Sequence, residues 1–82
     1  MTSTGHVINE VLLERKRQDG IWGQQNHDDG RWGLVLMEEL GEAAKAFLEG
    51  DLAHAREELV QSTAVNAAWI EAIDRRGYLR RG

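Results

Sequence analysis

Apolar residues recur at the spacing of an α-helix in three stretches of the chain, and no stretch alternates apolar and polar residues in the manner of a β-strand. The pattern predicts helices over about 4–18, 32–49 and 51–76. Residues 19–31 are rich in Gly, Asn and Asp and are predicted to form a loop. Gly50 is typical of a helix C-terminus, and Asp51 is typical of the N-cap of a following helix. The predicted fold class is therefore all-α.

Each predicted helix carries an apolar stripe, and we expect the three stripes to pack together as the core. The stripe of the first helix consists of Val7, Ile8, Val11 and Leu12. The stripe of the second consists of Leu36, Leu40, Ala43 and Phe47, and that of the third consists of Leu52, Ala55, Leu59, Thr63, Ile70 and Ile73. Asn66 lies near the middle of the third stripe, where a buried amide would either fix the pairing of helices or contact a ligand. The small residues Val65, Ala68 and Ala72 lie beside this stripe and are predicted to let another chain approach closely.

The composition is that of one small globular domain, residues 1–82. With 41% hydrophobic residues in 82, the chain is near the lower size limit for an independent core, so we expect a homodimer or homotetramer to complete a helical bundle. The chain has no Cys, as is usual in a reducing cytoplasm, and shows neither a signal peptide nor an apolar run of membrane-spanning length. Its net charge of −4 argues against a general nucleic-acid binder. Arg75, Arg76, Arg80 and Arg81 are interpreted as solubilising charge, with a flexible basic tail from about 77, and phosphate binding is the alternative.

The candidate chemistry lies in acidic residues of the last two helices. Glu39 and Glu42 are three residues apart and share one side of the second helix, and Glu58 and Gln61 repeat this spacing in the third. If the helices pack face to face, three carboxylates and an amide oxygen converge, and a hard divalent cation such as Mg²⁺ would relieve the repulsion. The pattern thus predicts metal-assisted chemistry on a phosphorylated substrate.

Solvated helix faces carry acidic pairs of this kind as well, which is the simpler interpretation. Two features favour a site. Glu39 and Glu42 flank the apolar stripe of their helix, with Val35 and Ala46, whereas Glu38 and Lys45 point away from that stripe. Glu58 and Gln61 flank the stripe of the third helix in the same way.

The order of these residues resembles the MazG-like family of all-α nucleoside triphosphate pyrophosphohydrolases. The family pattern is Glu-Glu-x-x-Glu on one helix followed by Glu-x-x-Asp on another. Glu38, Glu39 and Glu42 match the first part, and Glu58 matches the start of the second. Segments 13–19, 22–23, 26–27, 58–61, 64–65 and 68–75 also look like small phage- and integron-type members, so the resemblance covers most of residues 10–76. The chain departs from the pattern at Gln61, where the family has Asp, because an amide oxygen can coordinate a cation but brings no negative charge.

The resemblance implies a three-helix MazG-like unit that hydrolyses a ribo- or deoxyribonucleoside triphosphate to the monophosphate and pyrophosphate, a nucleotide-pool cleansing role. It implies Mg²⁺, or Mn²⁺, as cofactor. The implied metal ligands are Glu39, Glu42, Glu58 and Gln61, and Glu38 would position water or a second ion.

Four residues are candidates for binding the substrate. Trp22 would stack on the base, and Asn26 and His27 would contact the base, sugar or phosphate, with Lys45 as a further candidate. Loop anchoring is the alternative for Trp22 and Trp32, and a hydrogen bond within the loop is the alternative for His27. Two other functions stay open: a degenerate relative that binds nucleotides without turnover, which Gln61 favours, and a helical oligomeric interaction module whose acids are only solvated.

Overall fold

The computed structural model describes residues 3–77 of the chain, and within them it contains three α-helices and no strand. They are α1 (Thr4–Trp22), α2 (Asp29–Leu48) and α3 (Leu52–Arg75). The predicted all-α fold is confirmed. The tail predicted from about 77, with Arg80 and Arg81, lies outside the described residues except for Gly77. No helix among residues 3–77 has the length and apolar character needed to cross a lipid bilayer.

The first connection is shorter than predicted, because both flanking helices extend into it. Residues 19–22 continue α1, although Asp19-Gly20 resembles a helix stop in the sequence. The Arg15 guanidinium bonds both carboxylate oxygens of Asp19, at 3.0 and 3.3 Å, and holds Asp19 in the last turns of the helix. The helix ends at Gly23, whose φ of +67° other residues rarely adopt. The loop therefore comprises residues 23–28 rather than 19–31.

The second connection is close to the prediction and makes α2 and α3 an antiparallel hairpin. Gly50 adopts a φ of +81°, and its N–H donates to the Phe47 carbonyl at 3.1 Å. The N–H of Asp51 donates to the Ala46 carbonyl at 2.9 Å, and the Asp51 carboxylate caps α3 by accepting from the His54 N–H at 3.0 Å. The two helices therefore lie side by side from this turn to Asp29, which accepts a 2.9 Å hydrogen bond from Trp69 Nε1.

The helix α3 packs against both α1 and α2, which do not pack against each other. It runs in the same direction as α1, since Glu10 pairs with Arg56 at 2.7 Å and, further along both helices, Arg15 pairs with Glu71 at 2.6 Å. The central helix thus carries side chains that face each of its two neighbours.

The core lies between α2 and α3 and is built largely from small residues. Trp32, which is 1% exposed, packs with Val65, Ala68 and Ala72. Val65, Ala68 and Ala72 were predicted to face another chain, and that prediction is wrong. Their small side chains instead let α2 approach α3 closely.

The larger apolar residues of the predicted stripes point outwards, so the core prediction is wrong for them. Phe47 is 64% exposed and Leu59 is 49% exposed. Leu40, Leu52, Ile70, Thr63 and Asn66 are exposed with them, as are Ile8 and Leu12 of α1. Val11, Ala43 and Ala55 are buried as predicted, and Val7, Leu36 and Ile73 are half-buried. The exposed side of the hairpin forms a groove of about 600 Å³, here called the apolar groove, lined by Leu40, Ala43, Ala44, Phe47, Leu52, Ala55, Arg56 and Leu59.

Candidate functional site

Two carboxylates meet within the interface between α2 and α3. Glu39 lies on the side of α2 that carries Trp32, Ala43 and Ala46, all of which are buried. Glu58 lies on the side of α3 that carries Ala55, Ser62 and Val65, which are also buried. The side chain of Glu58 is only 14% exposed. These acids therefore stand in the packed interface rather than on its flank, where they had been predicted.

The surroundings of Glu39 favour its neutral form. Burial raises the pKa of Glu39, and so do a hydrogen bond with Glu58 and repulsion from Glu58, Glu42 and Glu14. The structure thus brings Glu39 and Glu58 into contact. Glu42 and Glu14 are close enough for their charges to raise the pKa of Glu39 further.

The donor set fits a hard cation, although it is not a complete ligand shell. Carboxylate oxygens are the ligands that Mg²⁺ and Mn²⁺ prefer, and burial together with neighbouring carboxylates raises the pKa of Glu39. Within residues 3–77, no three His, Cys, Asp or Glu side chains are arranged as the ligands of one ion. A cation between Glu39 and Glu58 would therefore complete its coordination with water, substrate oxygens or a movement of Glu42.

The remaining predicted residues of the acidic motif lie at the edge of this pair or outside it. Glu42 is exposed beside Glu39, and Glu38 and Lys45 are exposed. Gln61 lines a groove between α1 and α3 together with Glu14. Gln61 thus borders α1 and lies near Glu14, one turn after Glu58 on α3.

Glu14 joins Glu39, Glu42 and Glu58 in one group of acids, here called the acidic cluster. The sequence interpretation missed Glu14. It accepts hydrogen bonds from Arg17 Nε at 2.7 Å and from Gln18 Nε2 at 3.0 Å. The hydrogen bond from Arg17 lowers the pKa of Glu14, so this carboxylate stays ionised near Glu39. Its position was readable, since Val11, Glu14 and Gln18 follow one another at helical spacing on the side of α1 that faces α3.

A polar cleft of about 340 Å³ opens beside the cluster. It lies between the second half of α1, the loop and the second half of α3, and is lined by Arg15, Gln18, Asp19, Gly23, Gln24, Gln25, Trp32, Ala68, Glu71 and Arg75. The hydrogen bond from Arg15 to Glu71 raises the pKa of Arg15, which also bonds Asp19. Gln18 connects the cleft to the cluster, because the Gln18 side chain that lines the cleft also bonds Glu14.

The C-terminal turn of α3 holds the loop in place. Arg75 Nη2 donates to the Gln25 carbonyl at 3.0 Å and to Asn26 Oδ1 at 3.3 Å. Arg76 Nη2 bonds the carboxylate of Asp29 at 3.1 Å, at the start of α2. Arg75 and Arg76 are exposed, and each also makes a specific contact, Arg75 with the loop that borders the cleft and Arg76 with the start of α2.

The loop residues predicted to bind substrate differ in their surroundings. Asn26 is exposed and accepts a hydrogen bond from Gln24 as well as from Arg75. The ring of His27 meets that of Trp32 edge-on, with ring centroids 4.9 Å apart. Trp32 packs in the core, as the alternative of loop anchoring predicted for it. Trp22 is largely exposed at the end of α1.

No protein family, curated protein or solved structure matches the chain. The chemistry of the Glu39–Glu58 pair and of the adjoining cleft is therefore what indicates a function.

Glu39→Gln should raise the melting temperature of the metal-free protein in a pH-dependent way. Because the pKa of Glu39 is raised in the folded state, its stabilising contribution is present below the pKa of an unfolded glutamate and is lost as pH rises through the folded-state pKa. Glutamine stays neutral throughout, so both proteins should melt together below about pH 4 and diverge above it. Solvent screening limits the gain to about 1 kcal/mol, a rise of about 4–8 °C for a domain of this size.

The matched control for this experiment is Glu38→Gln on the exposed side of the same turn. It should leave the melting temperature nearly unchanged across the same pH series. Equal effects of the two substitutions would show that Glu39 is solvated in the same way as Glu38.

Proposed function

We propose that the protein is a Mg²⁺-dependent nucleoside triphosphate pyrophosphohydrolase of MazG-like type. The observation that carries the proposal is the pair Glu39 and Glu58, which lie on the facing sides of α2 and α3. Burial and the neighbouring carboxylates of Glu58, Glu42 and Glu14 raise the pKa of Glu39 there. Two neighbouring carboxylates are costly to hold in a helix interface unless a cation offsets their repulsion. The order of Glu38, Glu39, Glu42 and Glu58 supports the same function through its resemblance to the family pattern.

The residues of the acidic cluster would have different roles in the reaction. When bound, Mg²⁺ would supply charge neutralisation on phosphate oxygens and a water of lowered pKa. Glu39 and Glu58 would hold the ion, with Glu42, one turn further along α2, as an additional ligand. Glu38 would position water or a second ion.

The cleft is the proposed place for the nucleoside. Gln18 borders both the cleft and the acidic cluster, so a triphosphate held at the cluster has its nucleoside directed towards the cleft. Amide side chains offer both a donor and an acceptor to a base edge, and Gln18, Gln24 and Gln25 all line this space. The loop that carries Asn26 and His27 forms the rim.

A second copy of the chain is the proposed cover of the apolar groove, giving a homodimer or homotetramer. The groove exposes Phe47, Leu52 and Leu59, whereas the intrachain interface buries mainly alanines. Large apolar side chains gathered in one groove are typical of a protein–protein interface. The hairpin of α2 and α3 would then be packed on two sides.

Nucleotide binding without turnover is the second candidate. It is favoured by Gln61, which stands where the family pattern has a carboxylate and brings no negative charge. In that case Mg²⁺ and a nucleoside triphosphate would bind without release of pyrophosphate.

The experiment that tests the proposal is measurement of pyrophosphate release across a panel of ribo- and deoxyribonucleoside triphosphates. We expect at least one substrate to be hydrolysed with Mg²⁺ or Mn²⁺ and none in the presence of a chelator. Metal-dependent nucleotide binding with no pyrophosphate would select the second candidate. Failure to bind any nucleotide or metal would refute both.

A further inference from the structure

Gln18 is a buried amide that borders the polar cleft and has one polar atom without a partner. The residue is 7% exposed. Its Nε2 donates to Glu14 Oε2 at 3.0 Å and to the Gln61 carbonyl at 3.4 Å, which uses both hydrogens of the amide. Its Oε1 accepts no hydrogen bond from the side chains or backbone of residues 3–77. An N–H group of a ligand can supply the missing donor.

The unpartnered oxygen is within reach of a ligand in the cleft. Gln18 lines this space of about 340 Å³, and pockets for small molecules begin at about 300 Å³. Within the described part of the chain, Trp32 Nε1 is the one side-chain atom that is both sealed from solvent and without a partner. Gln18 Oε1 is therefore not sealed, and the cleft is the space that Gln18 borders.

The orientation of the Gln18 amide is locked. Glu14 Oε2 and the Gln61 carbonyl are both acceptors, so a reversed amide would set Oε1 against two oxygens and leave them without its donor. Arg17 bonds both oxygens of Glu14, at 2.7 and 2.8 Å, and holds that carboxylate in place. A glutamine that is free to turn can meet either a donor or an acceptor. Gln18 offers the cleft an acceptor only.

We infer that Gln18 makes the cleft selective for nucleosides whose base carries an amino group, cytosine or adenine, over those with an oxo group in its place. The amino group of cytosine is a donor at the position where uracil has an accepting oxygen, and adenine differs from hypoxanthine in the same way. An oxo group opposite Oε1 leaves two acceptors together without a donor. This inference rests on the part of the proposed function that places the nucleoside in the cleft, and it involves no metal ion.

The test is an NMR titration of the ¹⁵N-labelled full chain with cytidine and with uridine, repeated with adenosine and inosine. A chelator is present and the ligands carry no phosphate, so the dissociation constants report on the cleft alone. Cytidine should bind at least about ten-fold more tightly than uridine, and adenosine more tightly than inosine by a similar factor. A site built around a hydrogen bond rejects a ligand that cannot make it.

Two substitutions separate the acceptor from its orientation. Gln18→Met is close in size but lacks the amide, so the two dissociation constants should become nearly equal. Glu14→Gln keeps Gln18 but can donate as well as accept, which lets the Gln18 amide turn, and the cytidine preference should again be lost. The second variant retains the buried amide, so it tests the inference even if the first fails to fold.

Gln24→Met is the matched control within the same cleft. Gln24 is exposed, and its Nε2 bonds Asn26 Oδ1 alone, so its amide is free to turn. Its replacement should change the affinities for cytidine and uridine by the same factor and leave their ratio as in the wild type.

The outcomes distinguish the inference from the proposal beneath it. Equal binding of cytidine and uridine to the wild type, or a cytidine preference that persists in Gln18→Met, would overturn selection by Gln18 while leaving the nucleoside in the cleft. A preference unchanged in Glu14→Gln would contradict the locked amide. If no nucleoside binds, both the selection and the proposed place of the nucleoside are wrong, whereas pyrophosphate release tests the catalytic proposal separately.

Discussion

Glu58→Gln should reduce metal-dependent pyrophosphate release by at least about 100-fold. Glutamine has nearly the shape of glutamate but no charge, so it cannot balance a divalent ion between α2 and α3. Loss of a repulsive contact with Glu39 should keep the variant folded. The measurement is kcat/KM for the best substrate of the nucleotide panel, with the melting temperature as a check on folding.

The matched control is Glu57→Gln, one residue earlier. Glu57 lines the groove between α1 and α3. Its side chain points towards that groove and is not part of the Glu39–Glu58 pair. Its replacement removes the same charge from the same turn of α3 and should leave turnover within a few-fold of wild type. If both substitutions lower turnover equally, the effect comes from net charge and the pair has no special role.

Leu59→Glu should dissociate the proposed oligomer. Leu59 is 49% exposed and lines the apolar groove, which a second copy would cover. Removing a buried leucine costs about 1.5–3 kcal/mol, and a two-fold interface contains the residue twice. The dissociation constant should therefore rise by roughly 100-fold to 10,000-fold, measured by light scattering across a dilution series.

Leu13→Glu is the control for this change. Leu13 is exposed to a similar degree on α1, but it does not line the apolar groove. It should leave the molar mass in solution unchanged. A wild-type protein that scatters as a monomer at every concentration would refute the proposed second copy.

Helical periodicity was sufficient to predict the class of fold and the position of the hairpin turn. Three amphipathic stretches predicted the three helices. Gly50-Asp51 predicted the turn, because a left-handed glycine and an N-cap carboxylate are both signals that can be read locally in the sequence. The end of α1 was not readable in the same way. Asp19-Gly20 has the composition of a stop, yet α1 continues to Trp22, with Asp19 bonded to Arg15 one turn earlier.

The core could not be assigned from the sequence, because α2 and α3 each have two sides that resemble a core. A helical wheel favours the side with the larger side chains, such as Phe47 and Leu59. The chain instead buries Ala46, Ala68 and Ala72 against the neighbouring helix, since close approach depends on small side chains rather than on hydrophobicity alone. A single chain's pattern does not distinguish a surface for its own helices from one for another molecule.

The candidate site was predictable only in part for a related reason. The three-residue spacing of Glu39 with Glu42, repeated by Glu58 and Gln61, was enough to suggest that Glu39 and Glu58 meet when the two helices pack face to face. Glu14 and Arg75 enter from α1 and from the end of α3, and their roles depend on how these elements are placed in space. Helical spacing could place Glu14 on the side of α1 that faces α3, but it could not show which residues Glu14 and Arg75 meet, because those residues are far away in the sequence.

The central claim is that Glu39 and Glu58 form one divalent-cation site, and calorimetric titration of Mg²⁺ or Mn²⁺ into the purified protein tests it most directly. We predict saturable binding to the wild type, loss of that binding in Glu39→Gln, and its retention in Glu57→Gln. A wild type without saturable binding, or a Glu39→Gln variant that binds as tightly as wild type, would contradict the claim.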